Sequence, residues 1–136
     1  MRIAADLKNL AIIRHFITEY TASEKIGDPE AIADILVAVN EAVTNIITHG
    51  YRGQPGDIEI EVDYVGDDLV VTLRDQTPPF DPTSVPSPDL SLPLAERPFG
   101  GMGIHLMRQL TDEVIYRPTA DGNKLILIKK KVQSVC

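Results

Sequence analysis

Asn40-Glu41-Ala42-Val43-Thr44-Asn45-Ile46-Ile47-Thr48-His49-Gly50-Tyr51 closes a helical pattern that begins near Pro29. Within it Ile32, Leu36, Val39, Val43 and Ile46 recur every three or four residues and form one apolar stripe. Glu41, Asn45 and His49 follow one another at i, i+4 and i+8, on roughly the opposite face. A carboxylate one turn before a carboxamide is a sensible pair for chemistry. The first can accept a proton or orient a hydroxyl, and the amide oxygen of the second can ligate a hard cation such as Mg²⁺. The same residues also fit a solvated polar face closed by Gly50.

Upstream, the periodicity of Leu10, Ile13, Phe16 and Ile17 predicts a helix over residues 7–20 with Asp6 as N-cap. Residues 2–5 fit a short edge strand. Gly27-Asp28-Pro29 breaks the chain, with Asp28 as a cap and Pro29 at the first helical position. Downstream, residues 58–64 alternate strictly, four apolar side chains against three acids, as a half-solvated antiparallel strand does. Gly66-Asp67-Asp68 turns the chain into a second strand over 69–74, so the two pair as a hairpin.

Residues 76–98 change character: seven prolines are interspersed with Ser, Asp and Thr, without period. A stretch this long inside a small domain fits a lid or binding loop, or a plain surface insertion. Phe99-Gly100-Gly101-Met102-Gly103 ends it. A helix is expected over 104–110, a strand over 113–116, a hairpin turn at Asp121-Gly122 and a last strand over 124–132, with Lys129-Lys130-Lys131 as a solvated strand end. This order predicts an α+β fold, a two-layer sandwich with a mixed, mostly antiparallel sheet and helices on one face, in a single domain over 1–136.

Composition narrows the classes of function. The chain has 136 residues and a net charge of −7, so nucleic acid is not expected as the main ligand. A nucleotide remains compatible, because backbone N–H groups and a metal hold phosphates without a basic surface. No run of about 18 apolar residues predicts a membrane span, and the first residues lack the order of a signal peptide. The only cysteine is Cys136, and His15, His49 and His105 are not at metal-ligand spacing, so a reducing cytoplasm is the expected compartment.

Three stretches carry candidate chemistry: Glu41 with Asn45, Asp75 at a strand end, and Gly100-Gly101-x-Gly103 opening a helix. Glycines allow close backbone approach, and a helix start offers free N–H groups with a positive dipole end, so this third stretch can cradle a phosphate. A carboxylate at a strand end can accept from an exocyclic amine such as that of adenine, or simply initiate a turn. No G-x-x-x-x-G-K-[ST] is present, which excludes a P-loop.

Together these stretches resemble the sequence boxes of the GHKL (Bergerat-fold) ATPases. Residues 40–45 with His49-Gly50-Tyr51 look like the N-box, in the version of the RsbW/SpoIIAB-type anti-sigma-factor serine/threonine kinases. Residues 74–82 are similar to the first glycine box and residues 100–107 to the second. Asp112-Glu113-Val114 and Gly122-Asn123-Lys124-Leu125 resemble the closing strands, so the similarity runs along nearly the whole chain.

The resemblance implies roles residue by residue. Glu41 would be the general base or orienter for a serine hydroxyl, and Asn45 would ligate Mg²⁺ bridging the ATP phosphates. Asp75 would bind the adenine amino group. Gly101, Met102, Gly103 and Ile104 would hold phosphates through their backbone, and residues from about 81 to 100 would be the ATP lid. Arg97 and Arg108 are further candidates for phosphate contact. The family usually has Gly two residues after the adenine-binding acid, where this chain has Thr77. Threonine does not readily adopt φ > 0, so the turn is expected to differ and the Thr77 hydroxyl to bind adenine directly or through water.

The resemblance further implies an ATP- and Mg²⁺-dependent protein serine/threonine kinase of the partner-switching type. Its substrate would be a STAS-domain antagonist, with a sigma factor as a further partner and a homodimer as the assembly. Two alternatives stand beside it. One is a non-catalytic ATP-binding regulatory module acting by docking, and the other is the detached ATP-binding domain of a histidine kinase.

Overall fold

Alternation builds the sheet. Strand β2 (Asp57–Val65) turns Ile58, Ile60 and Val62 inward, while Glu59, Glu61 and Asp63 stay on the other side. Gly66, at φ +63°, lets the chain reverse into β3 (Asp68–Asp75), which pairs antiparallel with β2 from Val65↔Asp68 to Glu59↔Arg74. The computed structural model describes residues 1–24, 27–84, 91 and 101–132.

Strand β1 (Arg2–Ala4) joins the free edge of β2, and the hairpin of β4 (Glu113–Pro118) and β5 (Asn123–Lys129) adds to the other side, β5 lying against β3. The order is β1-β2-β3-β5-β4. Its four pairings are all antiparallel, where a mixed, mostly antiparallel sheet was expected. Ile58, Ile60, Leu69, Val71, Leu73 and Leu127 are fully buried on the inner face. They share one core with Ile17, Ile35, Val43 and Met107 of the helices. The outer face carries the Arg2–Glu59 and Arg74–Glu61 ion pairs.

Helix α1 (Leu10–Glu24) follows a 3-10 turn, Leu7–Asn9, capped by Asp6, which accepts from the Lys8 amide at 3.0 Å. It runs past the expected end at residue 20 to Glu24; there buried Thr21 and exposed Ser23 donate their hydroxyls to the Thr18 and Tyr20 carbonyls. Helix α2 (Pro29–Asn45) starts as expected, with Asp28 accepting from the Glu30 amide and Pro29 in the first turn. With its continuation to Tyr51 it is long and apolar enough, by composition alone, to cross a membrane. Its apolar face is instead spent on this core: Ile35, Ala38, Val39, Ala42 and Val43 are buried, while Ile32, Leu36 and Ile46 of the expected stripe are half-buried at its margin.

Helix α3 (Gly101–Gln109) packs on α2 and begins inside the glycine stretch, three residues earlier than expected. The last strand also ends earlier than expected, at Lys129. The chain then turns, with Lys131 at φ 58° and the Lys130 and Lys131 amides donating to Asp112 and Asp68. Lys129 is not a solvated end. Its Nζ donates to Asp34 at 3.1 Å and to the Leu110 carbonyl at 3.0 Å, clamping the C-terminal end of α3 to α2.

Ile35 is fully buried and Ile12 half exposed, on neighbouring helices. Ile35→Ala is therefore expected to cost about 2–5 kcal/mol of unfolding free energy, and Ile12→Ser less than about 0.5 kcal/mol, in paired urea titrations.

Candidate functional site

Asn45 is the last α-helical residue of α2. Beyond it the helix widens into a π turn, Ile46–Tyr51. It stops at Arg52 and Gly53, both in the left-handed region, rather than at Gly50. Asn45 and Gly50 both face one cavity. His49 lines it too, so this histidine belongs to the site wall. His105 is a half-buried residue of α3.

Tyr51 anchors the turn. Its hydroxyl donates to the Asp57 carbonyl at 2.6 Å and accepts from the Gln76 amide at 3.0 Å. The end of α2 is thus tied to the start of β2 and to the residue after β3. Burial pushes the Tyr51 phenol above the ordinary tyrosine range, with the nearby Asp75 and Asp57 charges adding to the effect.

Asp75 ends β3 and is only 7% exposed. Its Oδ1 accepts from the Thr77 amide at 2.9 Å, the Thr77 hydroxyl at 2.6 Å and Asn123 Nδ2 at 3.0 Å. Among the described residues none of these donors reaches Oδ2. The turn expected to differ at Thr77 is this local one: the carboxylate caps the Thr77 amide two residues on, and Thr77 needs no positive φ. The Thr77 hydroxyl proton is directed at Asp75 rather than at the cavity. Room for the side chain comes from Gly50, where an added Cβ would stand 2.9 Å from Thr77 Cγ2.

Asn123 was not singled out by motif reading. It opens β5 as the cross-strand partner of Asp75, with 5% exposure. In the sequence it follows the Asp121-Gly122 turn and falls in the Gly122-Asn123-Lys124-Leu125 stretch that resembles a closing strand of the GHKL ATPases. Gly122 is required by close approach, since a Cβ there would lie 1.9 Å from the Asp75 carbonyl oxygen.

The cavity has a volume of about 830 Å³. Asn45, Asp75, Thr77 and Ile104 line it, alongside the apolar Ile46, Met107 and Leu125. Among the described residues, Glu41, Met102 and Gly103 are not in its walls. Glu41 stands just beside it against α3: a Cβ on Gly103 would meet Glu41 Oε2 at 2.8 Å. Ala42 and Ile104, the neighbours of this pair, do line the cavity. Met102 points outward, 41% exposed, because Ile104 and Met107 take the inner side of α3. Arg108 is exposed seven residues along α3, about 10 Å from the Gly101 end. Gly100, Phe99, Arg97 and most of the expected lid over 81–100 lie outside the described residues.

The arrangement suits an adenine nucleotide. The apolar walls can accept a flat ring, Asp75 offers an acceptor to an exocyclic amine, and a helix start such as that of α3 is a place where backbone N–H groups can meet an anion. Among the described residues no three His, Cys, Asp or Glu side chains could hold a metal ion together. The Asn45 amide oxygen is a group that could ligate a divalent cation together with phosphate oxygens.

Residues 3–129 match the model of the histidine kinase-like ATPase domain, and the chain belongs to that family, the GHKL ATPases. Within it, the chain is similar over almost its whole length to serine-protein kinase RsbW. It is 30% identical over 138 residues to the protein of Bacillus cereus (strain G9842), covering 98% of this chain and 84% of the relative. It is 29% identical, with the same coverage, to that of Bacillus anthracis (strain CDC 684 / NRRL 3495).

Among solved structures, the RsbU and RsbW domains of a Mycobacterium tuberculosis protein match 96% of this chain with a TM-score of 0.61 and 18% identity; the chain spans 32% of that longer structure. The Acinetobacter baumannii histidine kinase AdeS matches 96% of this chain and 68% of its own, with a TM-score of 0.51 and 12% identity. Both share the expected α+β Bergerat fold.

A side chain at position 122 would separate β3 from β5 at the Asp75–Asn123 pair. Gly122→Ala is expected to destabilise the protein by about 3 kcal/mol, the upper part of the usual overpacking cost, in urea unfolding. Gly53→Ala, with open space around it, tests the positive φ alone and is expected to cost about 1 kcal/mol.

Proposed function

We propose that this protein is an ATP-dependent protein serine/threonine kinase of a partner-switching system. Its substrate would be a serine of a STAS-domain antagonist. What carries the reading is the meeting of three distant sequence stretches at one cavity. Asn45 comes from α2 and Asp75 with Thr77 from the end of β3, and Ile104 comes from α3 beside the Glu41–Gly103 contact. Similarity to the RsbW serine-protein kinases supports the same reading.

In this proposal Asp75 Oδ2 accepts from the adenine amino group, and the backbone of residues 101–104 holds the phosphates. Glu41 accepts the proton of the serine hydroxyl as its oxygen bonds to the γ-phosphorus, while the bond from that phosphorus to the β-phosphate oxygen breaks and ADP leaves. Asn45 would hold Mg²⁺ through its amide oxygen, and the ion would supply charge neutralisation on the phosphates. Glu41 lies one turn from Asn45, so base and cation site are fixed on one rigid helix. A sigma factor as second partner, a homodimer and a cytoplasmic setting belong to the same proposal.

The test is incubation with γ-labelled ATP, Mg²⁺ and a STAS-domain protein. The expected product is acid-stable phosphoserine on the partner. Glu41→Ala is expected to lower its rate by about 10²–10⁴-fold, with ATP affinity held within a few-fold. Tight ATP binding with no transfer would instead make this a docking module, and acid-labile phosphohistidine would make it a histidine-kinase ATP-binding domain.

A further inference from the structure

Asn123 makes more polar contacts than the wall of an apolar pocket needs. Its Nδ2 lies 3.0 Å from Asp75 Oδ1, 3.1 Å from Thr77 Oγ1 and 3.2 Å from each of the Thr77 and Pro78 carbonyls. Its Oδ1 accepts from the Phe80 amide at 3.0 Å and the Tyr116 hydroxyl at 2.6 Å. The orientation of the amide is not arbitrary. A backbone N–H can only donate and backbone carbonyls can only accept, so Phe80 on one side and Thr77 and Pro78 on the other fix which end is nitrogen.

Two consequences follow. First, a donor is held on Oδ1 of the acid by the ladder itself, because Asp75 and Asn123 are register partners. With the two Thr77 donors, Oδ1 is then fully engaged. Turning the carboxylate about its terminal torsion would break three hydrogen bonds, so Oδ2 keeps one direction. Second, the same amide grips residues 77–80, the stretch leading out of β3.

We infer that Asn123 is a positioning residue that aims Asp75 Oδ2 at an exocyclic amine of the base and seats residues 77–80 in the same geometry, making recognition of a 6-aminopurine depend on the β3–β5 ladder end. This rests on the nucleotide reading above. Tyr116 extends the chain of dependence, since its hydroxyl orients the Asn123 amide from β4.

The test compares Mg²⁺ complexes of ATP and of purine riboside triphosphate, which lacks the 6-amino group, by titration calorimetry on the full chain. The intact protein is expected to prefer ATP by roughly 10- to 100-fold, the range of one hydrogen bond to a charged acceptor. Asn123→Ala is expected to bring that preference below about threefold, mainly by weakening ATP, while binding of the amine-free analogue changes little. A packing defect would weaken both nucleotides together and leave the preference intact, which would overturn the inference.

Should Asn123→Ala not fold, Tyr116→Phe decides. It removes only the hydroxyl on Asn123 Oδ1 and is expected to lower the preference about three- to tenfold; an unchanged preference overturns the inference. Equal affinity of the intact protein for both nucleotides, or no binding of either, would sink the nucleotide reading itself. That outcome is separate from one in which the intact protein discriminates and both variants discriminate as well.

Discussion

An ionisable carboxyl group, 7% exposed at the end of a central strand, is the constraint around which this molecule is arranged. An unpaired carboxylate in such a place costs several kcal/mol. Here three neutral donors offset that cost, all on one oxygen and all supplied by two residues. Neutral donors stabilise the charge without cancelling it. An opposite charge in direct contact would have satisfied the acid and removed its use as an acceptor for a base.

That solution sets demands on the surrounding backbone. Asn123 reaches Asp75 only because β3 and β5 close to their last register pair, and they close only because residue 122 has no side chain to strike the Asp75 carbonyl. Tyr51 adds the third side of the frame by bonding the Gln76 amide from the end of α2. The helix that carries Asn45 and the strand that carries Asp75 are therefore held together by hydrogen bonds to backbone, which tolerate less drift than apolar contact alone. On the other wall, the missing side chain of Gly103 lets α3 approach Glu41. A shared core fixes both helices against the sheet, so the cavity is a consequence of the packing rather than an opening in it.

Periodicity made most of this legible. The caps at Asp6 and Asp28, the β2–β3 hairpin and the inward faces of the strands are local features, and local patterns report them. So did the resemblance of the three boxes to the GHKL family, because each box is a contiguous run. What the sequence hid was relational. Nothing in the chain near Asn45 announces that the helix changes from α to π and runs on past Gly50 to Tyr51, with His49 and Gly50 in the cavity wall. Lys129 reads as one of three solvated lysines until the fold delivers Asp34 and a helix C-terminus to it. Met102 sits inside a glycine box, but the phase of α3 turns it outward. Asn123 is invisible as a site residue because its meaning lies in the residue opposite.

The departure at Thr77 shows how such relations are built. A β-branched side chain in place of glycine would ordinarily crowd a tight turn and forbid its left-handed form. In this chain the turn keeps ordinary φ and gains two hydrogen bonds to Asp75, while the crowding is relieved 27 positions earlier by the bare Cα of Gly50. The side chain at residue 77 thus depends on the lack of one at residue 50.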